Sequence, residues 1–326
     1  MKERVLITGA SGFVGYHLIT EALQNNLEVF AAIRRSSKVD HLKHLDIQYT
    51  YPNFDDLEAL KKELGEKNYD YIIHAAGVTC ARNVDEYNLI NATYTYNLAQ
   101  AAANSNVKKF VLISSLAAVG PLDTLDGIIT ESTPPNPVTA YGRSKLLAEQ
   151  KLTSINNLNY TILRPTAVYG PRDKDIFIFF KQVAAGLEPY IGKAEQKLSF
   201  IYVTDLAKAA IKALHLGDKK AYIIGDDTYY NRYQLGTDIK SALGKKTVKL
   251  HLPVIFVKMI AGIAEKVSSF ANKAAVLNIE KLNELKAVNW SCSNALAKAE
   301  LGFSPAYNLR SGVAETIKWY KAQKWL

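Results

Sequence analysis

Three side chains in the sequence have the types and spacing of a proton-transfer site. Tyr141 and Lys145 lie four residues apart in "YGRSK", and Ser115 follows an aliphatic run earlier in the chain. Positions four apart share one face of a helix, so we expect the phenol and the ammonium group side by side. A phenol with a pKa of ~10 is a poor base, but a nearby ammonium in a partly dry site favours the phenolate. Ser115 can then hydrogen-bond the reacting oxygen.

Other interpretations of this pattern are open. A second Tyr–x–x–x–Lys match occurs at Tyr320 and Lys324, which we expect in a polar tail that caps the surface. Lys145 could also form a helix-surface ion pair with Glu149. Position favours Tyr141, because it follows the serine-bearing strand and begins a helix.

The stretch "VLITGASGFVG" places glycines at positions 9, 12 and 15, directly after a buried-looking strand. Gly9 would allow a tight turn, Gly12 would let the backbone approach a pyrophosphate, and Gly15 would let the next helix pack close to the sheet. A helix that begins near Ser11 or Gly12 would direct its unpaired N–H groups at the phosphates. The context of strand, turn and helix makes this a dinucleotide-binding signal.

The end of the second strand indicates which dinucleotide is bound. An acidic residue there would accept the ribose 2′-hydroxyl, whereas arginine accommodates a 2′-phosphate. The sequence "FAAIRRSSK" has Arg34 and Arg35 at this position. We therefore favour NADP(H), with NAD(H) as the other candidate.

Short aliphatic runs alternate with helical patterns through the first half of the chain, which predicts an α/β protein with a Rossmann-type doubly wound parallel sheet. The predicted strands are Val5–Ile7, Val29–Ile33, Tyr71–His74, Phe110–Ile113 and Tyr160–Leu163. The predicted helices are Gly15–Gln24, Asp56–Leu64, Leu89–Ala103 and Ala140–Thr153.

The regular alternation of strand and helix patterns ends after Gly170, which predicts two domains. We assign residues 1–170 to an NADP-binding Rossmann domain, with late strands near 200–204 and 221–225 rejoining its sheet. Residues 171–326 are expected to form a smaller, mainly helical and discontinuous substrate-binding domain.

Composition narrows the class of protein. The chain has 326 residues, 48% of them hydrophobic, and two cysteines that lack a companion at ligand spacing, so we expect a globular fold without a metal site. We expect a cytoplasmic protein, because the glycine-rich turn interrupts any signal-like apolar run. Residues 1–170 carry 16 basic and 17 acidic residues, and residues 171–326 carry 24 and 14. The basic surface of the second half is interpreted as solvated, with an anionic substrate or an acidic membrane as alternatives. No nucleic-acid platform is evident.

The segment Leu252–Phe270, "LPVIFVKMIAGIAEKVSSF", is strongly apolar but interrupted by charges. It is too short and too charged to span a bilayer, so we expect no stable membrane insertion. A packed core helix or a wall of an apolar substrate cleft is the favoured interpretation. An interfacial membrane helix is the alternative.

The ordered motifs together resemble the extended short-chain dehydrogenase/reductase family, of the NAD(P)-dependent epimerase/dehydratase type. They are TGxxGxxG (Thr8–Gly15), "HAAG" (His74–Gly77), Asn91, "ISS" (Ile113–Ser115), YxxxK (Tyr141–Lys145), "RPTAVYGP" (Arg164–Pro171) and "FIYVTDLA" (Phe200–Ala207). The chain is also similar to 3β-hydroxysteroid dehydrogenase and dihydroflavonol reductase-like members, because "RPTAVYGP" replaces the "RYFNVYGP" form of sugar-nucleotide epimerases.

The resemblance implies a role for each matched residue. Tyr141 would be the general acid/base, Lys145 would lower its pKa and hold the nicotinamide ribose, and Ser115 would orient the substrate oxygen. A homodimer formed through two helices per subunit is also implied. The implied cofactor-binding residues are Thr8, Gly9, Ser11, Gly12, Phe13, Val14, Gly15, Arg34, Arg35, Asn53, Phe54, Ala75, Ala76, Gly77, Asn91, Ile113, Ser114, Tyr141, Lys145, Pro165, Thr166 and Val168.

Two departures from the family pattern affect these assignments. Asn53 stands about where members have an adenine-contacting Asp, and "AVG" after Ser115 replaces the usual "VYG". The first departure makes the adenine contact uncertain, and the second removes an aromatic side chain from the substrate side.

The sequence thus supports three functional hypotheses. The first is an NADP(H)-dependent oxidoreductase that interconverts a secondary alcohol and a ketone of a small-molecule substrate. The second is a nucleotide-sugar epimerase or dehydratase, in which hydride transfer to the bound cofactor is transient. The third is a non-catalytic NADP-binding regulator, which the intact Ser115, Tyr141 and Lys145 oppose.

Overall fold

Seven parallel strands form the central sheet of the computed structural model, which describes residues 2–270 and 279–326. Together with the strands outside the central sheet, the strands in chain order are β1 (Arg4–Thr8), β2 (Glu28–Ala32), β3 (Gln48–Thr50), β4 (Tyr71–His74), β5 (Lys109–Ile113), β6 (Tyr160–Pro165), β7 (Ala167–Tyr169), β8 (Leu187–Ile191), β9 (Lys197–Leu198), β10 (Phe200–Tyr202), β11 (Lys220–Ile224), β12 (Tyr230–Asn231) and β13 (Val248–Leu252). The central order is β11-β6-β5-β4-β1-β2-β3. The strand order therefore reverses between β1 and β4, which is where open α/β sheets bind ligands.

Helices connect these strands and cover both faces of the sheet. They are α1 (Phe13–Gln24), α2 (Leu57–Lys67), α3 (Val84–Tyr87), α4 (Tyr94–Ala103), α5 (Ala140–Thr153), α6 (Phe177–Ala184), α7 (Val203–Lys212), α8 (Gln234–Leu243), α9 (Val254–Phe270), α10 (Ile279–Lys286), α11 (Ala295–Leu301) and α12 (Leu309–Ala322). A π-helical segment, Asn88–Thr93, joins α3 to α4, and 3₁₀ turns lie at Asp40–Leu42 and Leu116–Ala118.

Alternate residues of each strand supply two separate hydrophobic cores. On β1, Val5 and Ile7 face a core that includes Leu18 of α1 and Leu206 of α7, whereas Leu6 faces the opposite core with α2, α4 and α5. Both sides of the strands are apolar because helices bury both faces of a doubly wound sheet. This arrangement confirms the predicted fold class.

The five predicted strands of the first half are present, but the sequence pattern missed β3. This strand has only three residues and lies at the sheet edge beside β2, so it lacks the length of an aliphatic run. The expectation that residues near 200–204 rejoin the central sheet is wrong. Phe200–Tyr202 instead pairs with Ala167–Tyr169 in a separate two-stranded sheet. Lys220–Ile224 pairs with β6 at the edge of the central sheet.

A third hydrophobic core packs the last helix of the chain against two helices from residues 177–243. It joins α6, α8 and α12 through side chains that include Phe180, Ile239, Val313 and Tyr320. Tyr320 is fully buried and its hydroxyl donates to the carbonyl oxygen of Asp173 at 3.1 Å. The prediction of a surface-capping tail is therefore wrong, because α12 turns this residue towards α6.

The described part of α9 is not a packed core helix. Ile255, Phe256, Met259 and Ile260 are more than half exposed, whereas Val257 and Ala261 are buried. The side chains from 263 to 270 in this segment lie outside the described residues. Among the described residues, no helix combines the length and apolar character needed to cross a membrane.

Candidate active site

The glycine-rich turn lies at the point where the strand order reverses. Gly9 has φ +67°, and its carbonyl oxygen accepts from the Gly12 N–H at 2.9 Å. A Cβ on Gly9 would lie 2.6 Å from the carbonyl oxygen of Ala75, and a Cβ on Gly15 would lie 2.1 Å from that of Gly9. The first and third glycines thus allow β1, α1 and the segment after β4 to pack together at distances that side chains would prevent.

The N-terminus of α1 fits an anion such as a pyrophosphate. Gly12 is its N-cap, and no side chain among the described residues caps it. The first turn also contains no acidic residue. Its N–H groups and the positive end of the helix dipole can therefore bind phosphate. This part of the structure fits the dinucleotide expected from the sequence.

A buried hydrogen-bond chain holds the adjoining strand ends in register. Thr8 Oγ1 lies 2.7 Å from His74 Nδ1 and accepts from the Ala76 N–H at 3.0 Å. His74 Nε2 lies 2.9 Å from Thr95 Oγ1. Burial and, to a smaller extent, the nearby charge of Lys145 lower the pKa of His74 to about 3, so the imidazole is neutral. Thr8 and His74 therefore position the Ala75–Gly77 segment.

Ser115 and Tyr141 are brought together by a close approach of α5 to the turn after β5. Gly142 makes this possible, because a Cβ there would lie 2.4 Å from the carbonyl oxygen of Ala117. Thr139 caps α5 by accepting from the Gly142 N–H at 3.0 Å. The hydroxyl of Ser115 lies close enough to the phenol of Tyr141 to lower its pKa.

Lys145 is buried on the inner face of α5 and its Nζ donates to the Ile113 carbonyl oxygen at 2.7 Å. Burial lowers its pKa to about 8, an effect that the charge of Glu149 partly offsets. The alternative of a surface ion pair with Glu149 is wrong. That carboxylate instead pairs with Arg164, at 2.6 Å between Arg164 Nη2 and Glu149 Oε2.

The electrostatic environment of Tyr141 differs from the expectation. Burial is the main cause that raises the pKa of Tyr141 to about 12; the Ser115 hydroxyl lowers this pKa, and the charge of Glu284 raises it. Burial penalises the phenolate, and the ammonium of Lys145 is held by the Ile113 carbonyl oxygen. The phenol is protonated at neutral pH, so in this form Tyr141 can donate a proton.

A cavity of about 240 Å³ adjoins Ser115. Thr166 Oγ1 is buried there and has no hydrogen-bond partner among the described residues, so it can bond a ligand. Most of the lining side chains are apolar, with a few polar groups among them. The lining residues are Ser115, Leu116, Ala117, Pro165, Thr166, Ala167, Gln196, Leu198, Ser199, Glu284, Leu285 and Trp290.

Comparison with known proteins identifies the family. Residues 5–225 match the model of the NAD-dependent epimerase/dehydratase family. The chain belongs to this family. It is thus an NAD(P)-dependent enzyme of the extended short-chain dehydrogenase/reductase type.

Several similar proteins align with almost the whole chain. A ceramide reductase of Caulobacter vibrioides is 26% identical and covers 99% of this chain and 96% of its own. A decarboxylating sterol-4-alpha-carboxylate 3-dehydrogenase of Saccharomyces cerevisiae is 27% identical and covers 97% of both chains. The solved UDP-glucose 4-epimerase of Thermus thermophilus, in complex with NAD, is 21% identical, with a TM-score of 0.78 over 98% of this chain and 99% of its own.

Two residues expected to contact the cofactor, Asn91 and Ser114, are bonded through their side chains to protein groups. Asn91, in the π-helical segment, donates to Val78 O and to Ser144 Oγ and accepts from the Val78 N–H. Ser114 is buried and donates to the carboxylate of Glu149. The structure therefore gives Asn91 and Ser114 bracing positions behind the site.

The remaining expected cofactor residues of the dinucleotide half lie along the carboxyl edge of the sheet. Arg34 and Arg35 are exposed after β2, with the Arg35 guanidinium 4.9 Å from the centre of the Tyr51 ring. Asn53 is exposed after β3, and Phe54 packs on Tyr94. Others lie in the glycine-rich turn, after β4, or near the cavity, namely Ser11, Phe13, Val14, Ala75, Ala76, Gly77, Ile113, Pro165 and Val168.

Sequence reasoning missed the contribution of α10 to the site. Glu280 accepts from the Ala140 N–H and from Arg143 Nη2, so α10 is bound to the start of α5. Glu284 and Leu285 then line the cavity. These residues lie some 140 positions from Tyr141 and form no motif with it, so no local pattern could have located them.

Proposed function

We propose that this chain catalyses hydride transfer to or from a substrate carbon that bears a carbonyl or hydroxyl oxygen. The observation that carries the proposal is that Ser115, which lines the cavity, interacts with the phenol of Tyr141 and lowers its pKa. The nicotinamide cofactor, when bound, supplies or accepts the hydride. Ser115 and Tyr141 would hydrogen-bond the reacting oxygen, and Tyr141 would give it a proton in the reducing direction.

The pKa values support reduction as the direction that the isolated site favours. Because burial holds the pKa of Tyr141 near 12, the phenol keeps its proton at neutral pH and can donate it to an alkoxide as that forms. Lys145 fixes the carboxyl end of β5 through its bond to Ile113 O, one turn below the phenol on α5. Its proposed role is to position the site and to offer positive charge to the cofactor ribose.

We propose a net oxidoreductase that acts on an apolar alcohol or ketone as the first candidate. The apolar side chains of the cavity support this choice, since Leu116, Leu198 and Leu285 offer no partner for a sugar hydroxyl. The similarity to a ceramide reductase and a sterol dehydrogenase also supports it.

The second candidate is a nucleotide-sugar epimerase or dehydratase, and the comparisons support it more strongly. The matched family model and the similar solved structures are of this class. Arg232 supports it too. Its guanidinium is buried and donates to the carbonyl oxygens of Ile191 and Ala194, and its Nε has no hydrogen-bond partner among the described residues. A buried cation that is bonded to neutral carbonyl groups near the loop that leads to Gln196 suits an anionic substrate.

A single assay separates the two candidates. Purified protein is incubated with NADPH or NADP⁺ and with ketones, hydroxysteroids, oxidised ceramides or nucleotide sugars, while nicotinamide absorbance and products are followed. A net reductase changes the absorbance in proportion to product. An epimerase forms product from a nucleotide sugar without a net absorbance change, and this result would overturn the first candidate.

We propose NADP(H) as the preferred cofactor. Arg34 and Arg35 are exposed at the end of β2, where a ribose 2′-phosphate would lie, and no acidic residue occurs from 33 to 39. The similar epimerase that holds NAD weighs in the opposite direction. We expect the double substitution Arg34→Ala and Arg35→Ala to raise the KM for NADPH at least about tenfold and to leave that for NADH unchanged. A lower KM for NADH in the unaltered protein would refute the preference.

The cytoplasmic location and the homodimer stay predictions.

A further inference from the structure

A continuous apolar surface, here called the apolar patch, lies on β8, β13 and the first turns of α9. Its members are large hydrophobic side chains that face solvent. Exposure reaches 67% at Val248 and 69% at Ile255. The patch consists of Leu187, Val248, Leu250, Ile255, Phe256, Met259 and Ile260.

Strand pairing and chain continuity join these residues into one surface. β13 runs parallel to β8 with Val248 opposite Leu187, so these two side chains are neighbours on one face. Leu250 follows on the same face because strand side chains alternate. β13 ends at Leu252, and α9 begins two residues later.

The first turns of α9 expose bulky apolar side chains to solvent, whereas an ordinary surface helix buries them. Ile255 and Met259 lie four residues apart, and so do Phe256 and Ile260. This spacing places all four side chains on one side of the helix. The opposite side carries Val257 and the small Ala261, and these are the buried ones. A helix start that exposes four bulky apolar side chains and buries Val257 and Ala261 is suited to a further apolar environment.

Positive charge surrounds the apolar patch. Lys245, Lys246, Lys249 and Lys258 are exposed, and no acidic residue occurs from 244 to 262. Basic residues beside bulky apolar ones on an amphipathic helix match an anionic lipid interface, where the lysines meet head groups and the apolar side chains enter the acyl boundary.

We infer that the apolar patch docks on the surface of an anionic phospholipid bilayer, with the start of α9 lying in the plane of the interface. A second copy of the chain is a poorer occupant, because a two-fold contact would bring both sets of lysines together. Docking does not depend on the proposed reaction. It would bring the cavity close to the membrane, since α9 contacts α10, and α10 supplies Glu284 and Leu285 to the cavity.

The test measures binding of the full chain to vesicles by co-sedimentation. We expect binding to vesicles of equimolar phosphatidylglycerol and phosphatidylcholine, and at least about tenfold weaker binding to phosphatidylcholine alone. The double substitution Phe256→Ser and Ile260→Ser should weaken binding at least about tenfold, because it removes the deepest apolar contacts. Replacing Lys245, Lys246 and Lys258 by Gln should weaken it about fivefold per lysine at low salt.

Matched controls separate the patch from general surface effects. Ile128→Ser with Leu216→Ser removes two exposed apolar side chains elsewhere, and Lys62→Gln with Lys318→Gln and Lys321→Gln removes distant positive charges. We expect these variants to bind vesicles as the unaltered chain does. Circular dichroism and thermal unfolding of every variant show whether the fold is retained.

Three outcomes would overturn the inference. The first is that the unaltered chain fails to sediment with phosphatidylglycerol vesicles, and the second is that the patch variants bind as well as the controls. The third is a dimer in analytical ultracentrifugation that the Phe256→Ser and Ile260→Ser substitutions abolish, without vesicle binding. That result would assign the patch to a second copy of the chain.

Discussion

At the scale of single residues, the site depends on how burial sets proton affinities. Tyr141 and Lys145 are both displaced by burial, the phenol to a pKa of about 12 and the ammonium to about 8. Burial disfavours the charged form of each group, so the two pKa values move in opposite directions. The result is a phenol that keeps its proton while the lysine becomes easier to neutralise.

The first prediction concerns the proposed proton donor. Tyr141→Phe should lower kcat by about a thousandfold, because general acid catalysis is lost while the ring is retained. Steady-state kinetics with the substrate found in the screen measures this. The matched control is Tyr320→Phe, which alters the other Tyr–x–x–x–Lys pair. It should cost about 1 kcal/mol of stability through the lost bond to Asp173 O and leave kcat unchanged. Normal turnover in Tyr141→Phe would eliminate the acid/base role.

The second prediction concerns acid stability. Burial and the charge of Arg172 lower the pKa of His17 to about 4, against the hydrogen bond to Pro171 O. The unfolded chain therefore binds a proton at higher pH than the folded chain does. Stability is lost as pH falls from about 6.5 towards 4, and this group alone should cost about 2 kcal/mol at pH 5.

Urea unfolding at pH 7.5 and pH 5 of His17→Gln measures this contribution, because glutamine can still donate to Pro171 O. The variant should lose about 2 kcal/mol less between the two pH values than the unaltered chain. His44→Gln alters an exposed histidine and should leave the difference unchanged. An equal loss in all three proteins would contradict the assignment.

At the scale of elements, close backbone approaches decide where the strands and helices meet. Gly9 and Gly15 let α1 pack against β1 and the end of β4, and Gly142 lets α5 reach the turn after β5. Each approach leaves no space for a side chain. The glycine spacing in the sequence predicted the first approach, whereas the second depends on a glycine inside the Tyr–x–x–x–Lys pattern that sequence reasoning did not single out.

The third prediction tests this packing with two helix glycines. Gly15→Ala should destabilise the protein by about 2 kcal/mol or more and abolish dinucleotide binding, because its Cβ would lie 2.1 Å from Gly9 O. Gly65→Ala in α2 is the matched control. A Cβ there meets nothing within 4 Å in the described part of the chain, so the substitution should stabilise by about 0.5–1 kcal/mol. Chemical denaturation and titration with NADPH measure both effects. Stabilisation by Gly15→Ala would contradict the tight turn.

At the scale of the whole molecule, the later half of the chain closes the site on the earlier half. Glu280 binds the start of α5, and Glu284 reaches the cavity beside Ser115. A carboxylate from a distant helix therefore acts on the phenol of Tyr141 and raises its pKa.

The fourth prediction follows from that long-range charge. Glu284→Gln should lower the pKa of Tyr141, so the alkaline limb of the pH–rate profile for reduction should move to lower pH. Oxidation, which needs the phenolate, should become faster at a given pH. Glu66→Gln alters an exposed carboxylate on α2 and should leave the profile unchanged. An unshifted profile in Glu284→Gln would exclude electrostatic control by this residue.

The sequence by itself determined the dinucleotide half and the residues that stand in it. Aliphatic strands, the glycine spacing and the Ser115, Tyr141 and Lys145 pattern are all local, because strand burial, turn geometry and helical spacing depend on neighbours in the chain. Only the tertiary structure decided the proton affinity of Tyr141, the bracing of Asn91 and Ser114, the place of Phe200–Tyr202 outside the central sheet, and the approach of Glu284. These outcomes depend on burial and on contacts between residues far apart in sequence. A local pattern cannot show which distant residue will lie beside Tyr141 or will bond to Asn91 and Ser114.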